Sequence, residues 1–144
     1  MIHGFRENQR GGGAAILYKD SLVVKPGEAS SSIYSSFEFS FIVLTIMKSK
    51  ILLICIYRKQ EVSCTTFCEE LEKLIENVFD KGDSVIIVGD FNIWVDDESD
   101  HDSEKVLTLM NKYGLAQLVD KPTQREGHTL DHVYSNPLQN DLKL

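Results

Sequence analysis

Residues 51–57, Ile-Leu-Leu-Ile-Cys-Ile-Tyr, are apolar at nearly every position, as expected of a strand covered on both faces. Phe37–Met47 is rich in β-branched and aromatic residues, and only Lys48-Ser49-Lys50 separates the two runs. They predict a hairpin. Ala14–Tyr18 and Leu22–Val24 read as shorter strands joined through Lys19-Asp20. The period then lengthens. Phe67, Leu71, Leu74, Ile75 and Val78 share one helical face, with capping-box spacing at Thr66 and Glu69 and a close at Gly82. Ser84–Val88 is another apolar strand. A second helix is expected at about residues 102–113, with Val106, Leu109, Met110 and Tyr113 inward and Gly114 ending it. Strands near Leu115–Val119 and Thr129–Tyr134 complete the order ββββαβαββ. The leading hairpins argue against a purely parallel sheet and for an α/β fold with a mixed sheet and packed helices.

With 144 residues, 42% apolar and 26% charged, the chain has one domain's worth of ordinary globular composition. Its net charge of -7 offers no basic stripe for nucleic acid. A divalent metal could still supply the positive charge that grips phosphate. Cys55, Cys64 and Cys68 are odd in number and lack paired C-x-x-C spacing, which fits neither a disulfide framework nor a zinc site. Cys55 belongs with the core. An intracellular setting, nuclear or cytoplasmic, is expected. The start Met1–Arg6 lacks the apolar stretch of a signal peptide, and no apolar run is long enough to span a bilayer.

The richest chemistry lies in Gly89-Asp90-Phe91-Asn92, directly behind Ser84–Val88. Open α/β sheets place ligands at the carboxyl ends of such strands. Strand alternation would turn Asp90 and Asn92 one way and Phe91 back into packing, while Gly89 permits close backbone approach. A strand end followed by an Asx-type turn would give the same tetrad. Tyr57 closes its own strand. Asp131 interrupts the strand-like Thr129–Tyr134, where burying a carboxylate is costly unless it is paired. His132 should face away from Asp131 by alternation, and His128 and His101 read as solvent-facing loop residues without a partner. Gly11-Gly12-Gly13 lacks the helix and Lys-Ser/Thr of a P-loop and reads as a turn, and Ala29–Ser32 as a polar loop. The acidic run Asp96–Asp102 reads as a solvated face complementing a helix N-terminus more than as a metal cluster.

Gly89–Ile93, Val95-Asp96-Asp97, Pro122-Thr123 and Gly127–Asp131, in that order, resemble the endonuclease/exonuclease/phosphatase superfamily. The similarity is greatest to endonuclease domains of LINE-type retrotransposons, relatives of abasic-site endonucleases, and extends from about Arg10 to the C-terminus. The resemblance implies a partial two-sheet α/β sandwich of the DNase I-like type, mixed and mostly antiparallel, with flanking helices. It implies a Mg²⁺-dependent phosphodiesterase acting on DNA. By that likeness Asp90 orients and deprotonates the attacking water, Asn92 donates to a phosphate oxygen, and Tyr57 contacts the phosphate. Asp131 would orient a catalytic histidine.

The family's first-strand Asn and metal-ligand Glu are expected before residue 1, and its closing Ser-Asp-His after Leu144. Trp94 stands where relatives often carry a histidine. No metal ligand is assigned within the chain, and little nicking is expected of it in isolation, since members of a catalytic site act as a unit. A non-catalytic remnant or binding module of the same fold, and a phosphatase-type relative, are the alternative readings. Oligomeric state is not legible.

Overall fold

The computed structural model describes residues 2–3 (backbone only), 13–28, 33–96, 99–125 and 127–136. In chain order the elements are β1 (Ile2–His3), β2 (Ala15–Ile16), β3 (Val23–Pro26), β4 (Phe37–Ile46) and β5 (Ser49–Arg58). There follow α1 (Cys64–Val78), a 3₁₀ turn (Phe79–Lys81), β6 (Ser84–Asp90), α2 (His101–Lys112), β7 (Ala116–Gln117) and β8 (Asp131–Ser135). Six strands form one sheet in the order β3-β4-β5-β6-β8-β7, and β1 pairs separately with β2. Only β5 and β6 run parallel; every other neighbouring pair is antiparallel. This is the mixed, mostly antiparallel sheet expected.

The hairpin turns on Met47 and Lys48 alone, both at positive φ (48° and 77°). Ser49 already pairs with Ile46, so the loop has two residues and matches the right-handed twist of long strands. The next connection must carry the chain back along the sheet to reach a parallel partner, and α1 provides it. Its N-cap is Ser63, whose hydroxyl accepts from the Thr66 N–H at 3.1 Å. The expected capping box at Thr66 is therefore displaced by one turn. Both residues are cap formers, and the backbone geometry selects the earlier one. The helix also ends before Gly82: Val78 is its last residue, the 3₁₀ turn intervenes, and Gly82 is extended.

Phe37, Phe39 and Phe41, with Leu52, Ile54, Ile56, Val85, Ile87 and Tyr134, make one buried sheet face. Against it lie Phe67, Leu71, Leu74, Ile75 and Val78 of α1 and Val106, Leu109 and Met110 of α2. Phe37 meets Phe67 edge-on at 5.7 Å. Glu70 pins α1 to the segment entering β4: its carboxylate accepts from the backbone N–H and hydroxyl groups of Ser35 and Ser36. On the opposite face the Ser40 hydroxyl donates to the Ala14 carbonyl, which holds the β2 segment over β4. Cys55 lies on this second face and is only partly buried, so it is not a core residue. Gly11, Gly12 and Ala29–Ser32 lie outside the described residues.

Candidate active site

Strand register carries the site. Tyr57 pairs with Asp90 across the parallel β5–β6 ladder, and Asp90 pairs with Asp131 across the antiparallel β6–β8 ladder. Paired residues share a sheet face, so the three side chains form a row at the carboxyl ends of β5 and β6. Glu38 of β4 pairs with Tyr57 and extends the row by one strand. Nothing in the pattern around Phe37–Ile46 singled out Glu38, because its neighbours read as uninterrupted strand.

Gly89 makes this end of the sheet possible. A Cβ there would sit 1.8 Å from the Ile56 carbonyl oxygen, so only glycine lets β6 lie this close to β5. Beyond it, burial pushes the Asp90 carboxyl above the usual carboxylate range. The Asn92 N–H, bonded to Oδ1 at 3.0 Å, pulls it back in part, and the facing Asp131 charge pushes it up further. The carboxylate that bears the cost of burial is Asp90, not Asp131. Asp131 is exposed, which corrects the expectation that it is buried in its strand.

Asn92 also departs from expectation. The strand ends at Asp90, and Asn92 adopts φ +50° in an Asx turn closed by its own N–H on Asp90. Its placement therefore comes from the turn and not from alternation. Its Nδ2 donates to the Arg58 carbonyl at 2.8 Å, and its Oδ1 accepts from Gln60 Nε2 at 2.7 Å. The carboxamide is thus fastened to the end of β5, beside Tyr57. Arg58 is buried and supports the turn from below: its guanidinium donates to the carbonyls of Phe91, Asn92 and Val62. Neither Arg58 nor Gln60 stood out in the sequence, since a basic residue after a strand usually faces water.

Thr123 orders the other side. Its hydroxyl oxygen accepts the N–H groups of Leu130 and Asp131 at 3.0 and 3.1 Å, fixing the backbone that presents Asp131. His132 points the opposite way, as alternation requires. It is fully buried, stacked on Phe91 at 4.6 Å between ring centres. Its Nε2 lies 3.0 Å from the Ile93 carbonyl, which can only accept, so Nε2 carries the proton. Burial holds its pKa below the usual value, and Nδ1 accepts from the Tyr134 hydroxyl at 2.9 Å. His132 is a post beneath the turn and not a base in the row.

His128 is not the partnerless histidine expected. Its Nδ1 lies 3.1 Å from Asp96 Oδ2, and its ring stacks on Trp94 at 4.0 Å. Asp96 also accepts the Thr129 N–H at 2.6 Å, and these bonds, Thr129 foremost, hold its carboxyl below the usual range. So Asp96 ties two loops together instead of facing a helix. Farther along the acidic run, Asp100 caps α2 and Asp102 pairs with Lys105, as a helix N-terminus favours. Asp97 and Glu98 lie outside the described residues. His101 is exposed, 3.7 Å from Glu104.

Among the described residues no three His, Cys, Asp or Glu side chains gather as a metal-ligand set. Among the cavities lined by described residues, the two larger lie away from the row. One is lined by Lys25, Phe41, Lys50 and Lys81 at the far end of the sheet, the other by Cys68, Glu72 and Lys105 between the helices. Along the row Glu38 is buried, Tyr57 and Asp90 are half-buried, and Asp131 is exposed.

Residues 51–143, well over half of the chain, match a family model described as endonuclease-reverse transcriptase. The chain belongs to that family. The match begins within the strand that carries Tyr57 and runs through Asp90, Asn92 and Asp131. Solved structures of the endonuclease/exonuclease/phosphatase fold resemble this chain. The endonuclease domain of TRAS1, a telomere-specific non-LTR retrotransposon, aligns at TM-score 0.62 and 13% identity, over 84% of this chain and 58% of that one. A humanized TDP2 of D. rerio gives 0.56 at 12% identity, over 82% and 54%. An endonuclease/exonuclease/phosphatase family protein of Leptotrichia buccalis gives 0.53 at 16%, over 69% and 41%. The chain thus spans about half the length of the structures it matches. A search of curated proteins found no match. No helix among the described residues is long and apolar enough to cross a membrane.

Proposed function

We propose that this chain supplies the Tyr57–Asp90–Asn92–Asp131 part of a Mg²⁺-dependent DNA endonuclease of retrotransposon type. The observation that carries the reading is the side-by-side register of Tyr57, Asp90 and Asp131, with Asp90 pushed toward a more basic carboxylate. A base whose pKa lies nearer the working pH takes a proton from water more effectively. Asp90 holds and deprotonates that water. Asn92 keeps one Nδ2 hydrogen on the Arg58 carbonyl, and the other is free to meet a phosphate oxygen as charge builds. The Tyr57 hydroxyl contacts the same phosphate. Asp131, set by Thr123, orients a histidine supplied by another segment of the parent protein.

Mg²⁺ takes one or two carboxylates along with waters and substrate phosphate; no such ligand set gathers among the described residues, and with Asp90 and Asp131 engaged by water and histidine its carboxylate would come from another segment of the parent protein. When bound it polarises the scissile phosphate and neutralises the leaving oxygen. With three free cysteines, the protein suits a reducing nuclear or cytoplasmic compartment.

Plasmid nicking with and without Mg²⁺ tests the reading, on the 144-residue chain and on a protein extended to the length of its relatives. The extended protein should nick supercoiled plasmid, and Asp90→Ala should lower its rate by about 10²- to 10⁴-fold, the range for a general base. The shorter chain should nick far more slowly. Nicking indifferent to Asp90→Ala would leave a binding module of the same fold.

A further inference from the structure

Trp94 follows the catalytic tetrad by two residues, in the loop leaving β6, and it is 43% exposed. Exposure alone says little of such a side chain, but ordering one at the surface costs conformational entropy. Here the ordering is elaborate. The indole lies flat on the His128 imidazole, with centroids 4.0 Å apart and planes within 4°. His128 Nδ1 is pinned by Asp96 Oδ2, and Asp96 Oδ1 is pinned by the Thr129 N–H. An ionised carboxylate only accepts, so Nδ1 carries the proton, and the ring's rotation is set. One indole face is thereby backed by a fixed ring while much of the residue stays accessible.

The platform belongs to the same end of the sheet as the acid row. Beyond the Asp90–Asp131 pair, Phe91 N–H donates to the Leu130 carbonyl and Val95 N–H to the Thr129 carbonyl. These bonds carry the β6–β8 ladder onward to Trp94 and His128. His128 lies three positions before Asp131, so their Cα atoms are at most about 11 Å apart. A strand whose phosphate lies at Asp90 would place a neighbouring base within reach of the indole. The chain carries a net charge of -7, so its hold on a nucleic acid cannot come mainly from lysine and arginine. Stacking needs no positive charge and tolerates any base.

We infer that Trp94, backed by His128 and Asp96, is a stacking platform for a nucleobase flanking the scissile phosphate. The inference rests on the endonuclease reading and adds a base-binding position to it. Trp94 acts on binding and Asp90 on chemistry.

Trp94 is the only tryptophan in the sequence, so intrinsic fluorescence reports on this one side chain. Titrating the chain with a short oligothymidylate should quench it. An oligomer of abasic deoxyribose phosphates of equal length, or inorganic phosphate, should leave it unchanged. Trp94→Ala should weaken binding of a dye-labelled oligothymidylate about tenfold by anisotropy, and Trp94→Phe should recover most of that loss. His128→Ala, which keeps the fluorophore, should reduce the affinity read by quenching. In the extended protein Trp94→Ala should raise KM more than it lowers kcat. Absence of quenching by oligothymidylate, or equal quenching by the abasic oligomer, overturns the platform, as does native affinity in Trp94→Ala. Asp90→Asn separates the two readings. Quenching retained with nicking lost supports both, whereas quenching retained with nicking intact removes the catalytic reading and keeps the platform.

Discussion

Strands β5, β6 and β8 carry two different surfaces on their two faces. On one, Leu52, Ile54, Ile56, Val85, Ile87 and Tyr134 are buried under two helices. On the other, Leu53, Ile86 and Val133 are only partly covered, and the row ends in Tyr57, Asp90 and Asp131. The first face has a single requirement, close packing, and its alternation with the second is strict along β5. The second face sets two carboxylates beside each other, an arrangement no packing argument favours. The helix side buries the larger apolar cluster, and the row proposed as reactive stands on the other side. Such division is common where a site is held by a scaffold.

Gly89→Ala should damage both faces at once, since the new methyl would strike the Ile56 carbonyl. A loss of more than about 4 kcal/mol, or failure to fold, is expected in urea melts. Ile54→Ala, on the helix face, should cost about 2–5 kcal/mol, while Leu53→Ala, one residue along on the other face, should cost about half as much. Equal losses would erase the distinction between the faces.

Smaller effects sharpen the contrast through pH. Burial would raise the Glu70 carboxyl, but the hydrogen bonds from Ser36 and Ser35 outweigh it and hold the pKa at about 2, against 4.5 unperturbed. A carboxylate depressed on folding stabilises above its unfolded pKa and loses that contribution as pH falls toward the folded value. Stability should therefore decline from pH 4.5 down toward 2, and Glu70→Gln should flatten that slope. His132 is also depressed, by burial, from 6.5. The neutral ring's contribution is full above that pH and is lost as pH falls below it, because the unfolded chain then binds the extra proton. His132→Phe, which keeps a ring against Phe91, should remove this second slope while lowering stability at neutral pH.

Much of the helix-side face was legible from periodicity alone, because period 2 and period 3.6 are written directly into the positions of Phe37–Phe41, Leu52–Ile56 and Phe67–Val78. His132 turning from Asp131 followed from the same alternation. The adjacency of Asp90 and Asp131 did not, since register between strands forty residues apart has no local signal. The family resemblance pointed to both residues without giving their pairing. Asn92 was placed by alternation, yet the strand stops two residues earlier and a positive-φ turn takes over. Arg58, Gln60, Thr123 and the Trp94–His128 stack all act through loop backbones brought together by the sheet, and no spacing in the sequence announces such contacts.

The sharpest single measurement is a urea melt of Asp90→Asn paired with plasmid nicking by the same variant in the extended protein. Ionising a carboxyl whose pKa is raised by burial and by Asp131 opposes folding at neutral pH, so the neutral amide should make the protein more stable while nicking is lost. A variant that melts earlier than the parent, or that nicks at the parent's rate, would contradict the division of labour between the two faces.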